Sequence, residues 1–463
     1  NPIRFILYDV KKGYLKKITA EEIDLSENDS FVVNFCADDE RVLVQAGIPT
    51  ISMQNFLSMC GGYVVNDSDM DAVFRYMTGF CYNNIFRSSR VDFTILYESA
   101  SYWRGISRII SQGMNLIEQQ GLEDALRLEI ETSKALHHMM DEAYPLDAKA
   151  VMSEYQRLQN VLSETQRRSA EENGDLTELR CFCQKITDKM QRIPAALCDC
   201  KGSRAFIRCE FRSMGTDTAR ITTRNINIQG LPKTIRKCLR PRRDGNKLVE
   251  VDLVNSQVAI LACMSGEKTL ICSYANGIDL YSKIAADLTG RIVTDISLKE
   301  RIGFKAMTLK ILYGAGLTVI QKDLMSNGIE MTMAEVKILQ QSFYERYSAV
   351  RDFTDKVKSL DYIQLPTGRK WRMDTVAAYK RLAYILQYVE SIILREILVM
   401  LDKQTKEKRF RLYLCIHDSV ILEIEKADSD EIMVIVQDCM NQVICKYFPE
   451  LLKVNFKEVN IYE

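Results

Sequence analysis

The sequence predicts an α+β protein with three parts: an opening α/β segment, a long helical middle, and a C-terminal part where strands and helices alternate. Three observations carry that reading. Only 8 prolines occur in 463 residues, so long elements run uninterrupted. Apolar positions recur near a 3.6-residue period through the middle, while short β-rich runs stand at both ends. The composition, 47% hydrophobic and 27% charged, is ordinary for a globular chain, and the length suggests about three domains at roughly 150 residues each.

The elements follow in order. Residues 5–8 and 31–35 are β-rich and separated by polar turns, an α/β signature up to about Gly61. From Asp69 to about Met190 the pattern is helical. Leu126, Leu128, Ile130, Leu136, Met139 and Met140 keep the helical period, residues 151–162 continue it, and Asn173-Gly174-Asp175 marks a loop. Beyond Phe206, residues 247–253 read as a strand and 257–264 as the helix after it. Helices are expected over 279–288, 298–313, 333–347 and 377–401. Strands 410–416 and 420–424, joined by His417-Asp418-Ser419, form a hairpin with Asp418 at its tip. A helix over 428–447 and a strand over 453–462 close the chain.

No apolar run reaches the roughly 18–20 residues that a membrane span needs. The start lacks the layout of a secretory signal and begins without Met inside a strand pattern, so the chain reads as a trimmed piece of something longer. Fourteen cysteines without such a signal fit a reducing, cytoplasmic compartment. Cys181-x-Cys183, Cys198-x-Cys200 and Cys209 form the tightest group, but C-x-C matches zinc-ligand spacing poorly and buried thiols are the favoured reading. With 3 histidines (His137, His138, His417), carboxylates must carry any metal chemistry.

Net charge is zero, 62 basic against 62 acidic residues, yet between Lys201 and Arg243 twelve basic residues face only Glu210 and Asp217. A stretch of one sign is the footprint expected for a phosphate backbone. Two acids stand out because each ends an apolar strand: Asp252 after Leu248-Val249-Glu250-Val251, and Asp418 after Leu414-Cys415-Ile416-His417. A hard cation is the obvious partner for a carboxylate so placed. Two such strands side by side suit two Mg²⁺ ions about 3.5–4 Å apart, with Mn²⁺ able to substitute, the arrangement for in-line phosphoryl displacement. Arg301, Lys305, Leu309 and Tyr313 follow one helical stripe. Its cations suit a triphosphate, Lys305 suits a leaving pyrophosphate, and Tyr313-Gly314 suits a base packed closely. A lone Asp is more often a turn residue and a lone cationic stripe more often solvated surface; their combination is the informative feature.

At this point the residues resemble family A DNA polymerases, the DNA polymerase I type. Asp252, then Arg301-x₃-Lys305-x₇-Tyr313-Gly314, then His417-Asp418 follow the order of that family's motifs A, B and C. The segment from Thr216 to Pro232 looks like its T-x-T-G-R…N-x-Q-x-x-P, Ser265-Gly266-Glu267 its S-G-D, Gly368-Arg369-Lys370 its G-R-R, and Gln387 its template-side glutamine. The match spans roughly residues 206–463, and its motifs are specific in combination. It implies a right-hand architecture of palm, fingers and thumb that takes DNA primer-template and dNTPs. Carried over, Asp252, Asp418 and the Leu253 backbone carbonyl hold metal. Arg301, Lys305, Leu309, Tyr313 and Gln257 meet the nucleotide, and Arg220, Asn227, Gln229, Gln387 and His417 meet primer or template.

The chain departs from the family pattern in several places. Gap-free alignment puts Gln257 where DNA polymerases carry the Glu that excludes a ribose 2′-hydroxyl, whereas sliding onto Ser256-Gln257 would put Ala259 there; the gap-free version is preferred. Leu309 replaces an aromatic, Ser419 the Glu of H-D-E, and Ala219 a Gly. His-Asp-Ser also occurs in phage-type RNA polymerases, so an RNA polymerase or primase-like enzyme accepting NTPs stands as an alternative, and a non-catalytic nucleic-acid-binding module as another. Residues 1–112 resemble the family's proofreading exonuclease through Asp9-Val10-Lys11, Asn34-x₃-Asp38 with Val42-Leu43, and Tyr97-x₃-Ser101. Lys11 and Ser101 stand where ligating acids belong, so a degenerate exonuclease-like domain without proofreading is expected there, with an unrelated α/β domain as the alternative reading. Residues 113–205 are expected to be connector and thumb, and 206–463 palm and fingers, with the fingers over about 268–360.

Overall fold

The computed structural model describes residues 4–9, 14–19, 31–34, 37–61, 100–171, 204–365, 367–405, 410–451 and 456–462, with scattered positions in 70–72 and 183–193. The chain is α+β. Its centre is a four-stranded sheet in the order Phe410–Ile416, Ser419–Glu425, Asn246–Leu253, Phe456–Tyr462. Every neighbouring pair in it is antiparallel. Asn246–Leu253 turns Val249, Val251 and Leu253 into the core and leaves Glu250 and Asp252 partly exposed, the period-2 alternation of a strand with one open face. The helices Ser256–Ser265, Arg381–Thr405 and Ser429–Tyr447 share one large hydrophobic core with this sheet.

Between 268 and 359 lie six α-helices: Lys268–Ala275, Leu280–Thr289, Leu298–Leu312, Leu317–Ser326, Met333–Arg346 and Ser348–Ser359. Several announce their starts in the sequence. Ser297 with Glu300, and Thr332 with Glu335, form reciprocal capping boxes. Asp279 caps Leu280–Thr289, and Gly290 ends it with φ +68°.

The N-terminal segment contains a parallel pair, Val32–Asn34 with Thr50–Ser52, connected through helix Ala37–Gln45. Ile51, Phe56 and Met59 form a second, smaller core with Ile106, Ile109 and Ile117 of helix Ala100–Gln120. That helix runs straight through the boundary expected at 112–113, because its apolar stripe is shared with the N-terminal elements. Asn34 is buried and donates to Thr50 Oγ1 at 2.8 Å, a core hydrogen bond. The structure of Lys11 and Tyr97 and the side chains of Asp9, Asp38 and Ser101 lie outside the described residues. Among the described residues no helix is long and apolar enough to cross a membrane.

Two local details differ from expectation. The hairpin turn is two residues, His417-Asp418, since Ser419 already pairs with Ile416 on one side and Asp252 on the other. The long helix starts at Arg381 after a 3₁₀ turn and continues to Thr405.

Candidate active site

The sheet register brings the two acids together. Ser419 pairs directly with Asp252, so the turn carrying Asp418 lies at the end of the Asp252 strand. His417 takes φ +55°, the left-handed conformation a tight two-residue hairpin turn demands. Burial pushes the Asp252 carboxyl up to about 7, and repulsion from Asp418 and Glu250 adds to it while Lys305 pulls it down. A carboxylate that expensive to ionise among other acids calls for a cation, and the hard oxygen donors of Asp252, Asp418 and the Leu253 backbone suit Mg²⁺. Among the described residues no group of three or more His, Cys, Asp or Glu is arranged to hold a metal. Ser419 donates to Glu250 Oε1 at 2.7 Å. Glu250 is an acid the motif comparison passes over, although its position two residues before Asp252 places it on the same strand face.

Helix Leu298–Leu312 buries Phe304, Met307, Thr308 and Ile311 and turns Arg301, Lys305 and Leu309 toward the exposed side. Arg301 Nη2 donates to Asp279 Oδ2 at 2.6 Å, and both Arg301 and Lys305 stand over the Tyr281 ring, at 5.7 and 5.5 Å. Asp279 and Tyr281 were not singled out by the motifs. Asp279 also caps its helix through the Ser282 amide at 2.8 Å and accepts from Asn255 Nδ2 at 3.3 Å. Burial would push its carboxyl up, but the Arg301 and Ser282 bonds outweigh that and hold it below the usual range. Tyr313 caps the C-terminus, and Gly314 follows at φ +69°. A Cβ on Gly314 would lie 2.3 Å from the Tyr379 carbonyl oxygen, so only glycine permits this approach.

Tyr313 Oη donates to Gln257 Oε1 at 2.6 Å, and Gln257 Nε2 donates to Glu390 Oε2 at 3.0 Å. Ala259, the alternative occupant of that family position, packs in the core. Glu390 also accepts from Arg220 Nη2 at 2.7 Å and from Ser256 Oγ at 2.6 Å. Sequence reasoning missed it, and the signal was an acid flanked by Leu386, Tyr388, Val389, Ile392 and Ile393 on a helix whose faces are nearly all apolar. Ala219, in the family's glycine position, keeps the glycine-like conformation at φ +53°. Its carbonyl accepts from Ser391 Oγ at 2.7 Å and from Arg395. The other non-glycine residues with positive φ among those described are Asn225, Asn255 and His417. Each of the four lies within two residues of a predicted site residue, the clustering of strained backbone expected at functional sites.

The remaining predicted residues fall into two groups. Gln387 Oε1 accepts from Thr218 Oγ1 at 3.3 Å, and His417 sits beside Asp418, with burial holding its imidazole pKa below the ordinary value. Gln229 is buried and donates to the Cys415 carbonyl at 3.2 Å, while Asn227 Oδ1 accepts from the Gly230 amide at 2.9 Å. Those two spend these atoms on bracing the protein. The basic stretch is also partly internal. Arg240 pairs with Asp147 at 2.8 Å, Arg212 donates to Gln54 at 2.8 Å, and Arg242 lies over the Tyr144 and Tyr413 rings at 4.8 and 4.9 Å. Arg208, Arg224, Lys233, Lys237 and Arg243 face outward. Of the cysteine group, Cys209 is a core thiol whose pKa burial pushes up to about 12, and Cys181, Cys198 and Cys200 lie outside the described residues.

Known proteins share this fold and part of this sequence. The POL domain of Pol1 from M. smegmatis, in complex with DNA primer-template and dNTP, matches with a TM-score of 0.68 over 98% of this chain and 94% of that one, at 14% identity. At that identity the likeness concerns the fold. DNA polymerase I of Aquifex aeolicus is 24% identical over 280 residues, 58% of this chain and 47% of its own length. The DNA polymerase of Bacillus phage SP01 is 24% identical over 258 residues, 50% of this chain and 28% of its own. The chain therefore spans about half or less of the length of these curated relatives. The model of DNA polymerase family A matches residues 100–460, a stretch that begins at the start of helix Ala100–Gln120 and ends in the last strand of the central sheet. The chain belongs to DNA polymerase family A.

Proposed function

We propose that the chain is a template-directed DNA polymerase that adds dNTPs to a primer 3′ end, without proofreading, in a reducing cytoplasmic setting such as a nucleoid or an infected host cell. The observation that carries the reading is the pairing of Ser419 with Asp252, which sets two mutually repelling acids at one sheet end. Asp252, Asp418 and the Leu253 carbonyl would hold two Mg²⁺, or Mn²⁺ in their stead. Bound there, the ions would supply Lewis acidity that makes the primer hydroxyl a better nucleophile and neutralises the phosphates.

The chain's own groups do the rest. Lys305 and Arg301 bind the triphosphate, and Lys305 neutralises the charge that develops on the leaving pyrophosphate. Nucleotide binding competes with Asp279 for Arg301, since both offer oxygens to one guanidinium. Tyr313 and Gln257 border the nucleotide, with Leu309 one turn before Tyr313 on helix Leu298–Leu312. Arg220, Gln387 and His417 meet the primer-template, Gln229 and Asn227 act through the segments they brace, and the outward-facing arginines and lysines follow the phosphate backbone. The absence of proofreading rests on Lys11 and Ser101, which take the places of two metal-ligating acids in the N-terminal segment.

Primer extension with dNTPs or NTPs tests this. Wild type is expected to prefer dNTPs, by less than Glu-bearing relatives do, and to leave a mismatched 3′ end intact. Asp252→Ala and Asp418→Ala should each abolish extension while DNA affinity persists. Extension near the wild-type rate in either variant sinks the two-metal assignment. Preference for NTPs favours an RNA polymerase, and binding without extension favours a non-catalytic module. Loss of 3′ nucleotides that survives Asp252→Ala would reveal an active nuclease.

A further inference from the structure

The buried acid Glu390 has no place in the motifs, yet it joins more of the candidate site than any of them. It sits on helix Arg381–Thr405, three residues beyond Gln387, and is 2% exposed. One of its oxygens, Oε1, accepts from Ser256 Oγ at 2.6 Å. The other, Oε2, accepts from both Arg220 Nη2 at 2.7 Å and Gln257 Nε2 at 3.0 Å. Burial, then the Asp418 charge, push the Glu390 pKa up, but the Arg220 guanidinium opposes them. All three neighbours donate to the Glu390 oxygens, so Oε2 acts as an acceptor and admits the amide of Gln257 in one orientation, with the NH₂ toward Glu390. The amide oxygen is then obliged to face Tyr313, whose hydroxyl donates to it at 2.6 Å. Without Glu390 the amide has two orientations of similar quality, and the Tyr313 ring loses its fixed anchor.

We propose that Glu390 is the positioning residue that sets sugar selectivity. By fixing the Gln257 amide and, through it, Tyr313, it lets a neutral glutamine border the nucleotide as a rigid wall. The carboxylate that a glutamate at position 257 would supply comes instead from a neighbouring helix. Because Arg220 shares the same oxygen, the primer side and the nucleotide side of the site are tied to one atom. This rests on the polymerase reading above and adds to it the determinant of nucleotide class.

The test is single-turnover insertion of one dNTP and the matching NTP by wild type, Glu390→Met, Glu390→Gln, Gln257→Glu and the double variant Gln257→Glu/Glu390→Gln, with melting temperatures alongside. Glu390→Met should lower the dNTP/NTP ratio about tenfold, the worth of one buried hydrogen bond. Glu390→Gln should keep most of the ratio, because its carbonyl still accepts from Arg220 and Gln257 while the Ser256 hydroxyl reverses to accept its NH₂. Gln257→Glu places two carboxylates in contact and should lose selectivity, and the double variant, with one carboxylate and one amide exchanged in place, should regain it. A purely structural role would lower melting temperature and both insertion rates but leave the ratio unchanged. An unchanged ratio in Glu390→Met overturns the proposal, as does a double variant no more selective than Gln257→Glu; the latter decides the matter if Glu390→Met does not fold. If wild type extends no primer with dNTPs, the polymerase reading fails and this inference with it. Extension with an unaltered ratio removes only the inference.

Discussion

Arg395 offers the most demanding test of how the site is held. It is 1% exposed, faces Glu129 Oε1 through Nη1, and uses Nη2 to hold the carbonyls of Ser213, at 2.7 Å, and of Ala219. Glu129 comes from helix Glu123–Met140, so one guanidinium ties that helix to the long helix Arg381–Thr405 and to the loop presenting Arg220. Arg395→Met keeps the bulk but leaves Glu129 buried without its cation, at a cost of about 3–5 kcal/mol. Spread over a cooperative unit of roughly 350 residues, that lowers the melting temperature by about 5 °C. Adding Glu129→Leu removes the stranded charge, and the double variant should recover most of the loss because an apolar pair of similar volume replaces a buried ion pair. What it cannot recover is the guanidinium's grip on the carbonyl of Ala219, whose left-handed backbone costs about 1–2 kcal/mol and whose carbonyl then keeps only the Ser391 hydroxyl of its two side-chain donors. Scanning calorimetry with primer extension separates the two effects: the double variant should melt near wild type yet extend primers several-fold more slowly. A single variant that melts within a degree of wild type, or a double variant as unstable as the single, would refute the reasoning.

Two further outcomes follow from local geometry. Gly314→Ala meets the Tyr379 carbonyl at 2.3 Å and should impair nucleotide insertion strongly. Gly121→Ala, at φ +63° with open space around it, should cost only about 1 kcal/mol and leave insertion alone; comparable effects of the two on insertion would deny the close approach its role. The Ser297 hydroxyl and amide, with Arg291, hold the Glu300 carboxyl down at about 2, so its stabilisation is present above the unfolded glutamate range near pH 4.5 and is lost as pH falls toward 2. Glu300→Gln should therefore melt below wild type at pH 7, with the gap narrowing as pH falls from about 5 toward 3; a gap constant across that range would contradict the linkage.

Much of the site was legible because its carriers are local. Asp252 and Asp418 declare themselves as acids at the ends of apolar runs, and pairing of those strands is what an antiparallel hairpin beside a third strand produces. The helix of Arg301 and Lys305 shows its start through Ser297 and Glu300, a signal confined to four residues. What sequence reasoning missed depends on distance along the chain. Glu390 meets Arg220 across 170 positions and Gln257 across 133, and no window of sequence contains both ends of either bond. Its only local trace was the desolvation problem of an acid within an apolar helix, the same trace that identified the two catalytic candidates.

The basic stretch shows the converse error. A charge count over residues 201–243 treats every arginine there as available to a polyanion, since acids nearby in sequence are few. Folding supplies acids from elsewhere: Asp147 reaches Arg240 across 93 positions, and Glu390 takes Arg220. Arg242 goes instead to backbone carbonyls of Met139, Glu142 and Ala143, closing the C-terminal end of helix Glu123–Met140 with a cation. A run of one sign therefore overstates the nucleic-acid footprint whenever helix ends and buried acids elsewhere in the fold need cations. The outward-facing members, Arg208, Arg224, Lys233, Lys237 and Arg243, remain as the part of the stretch whose charge the folded protein still directs to its surroundings.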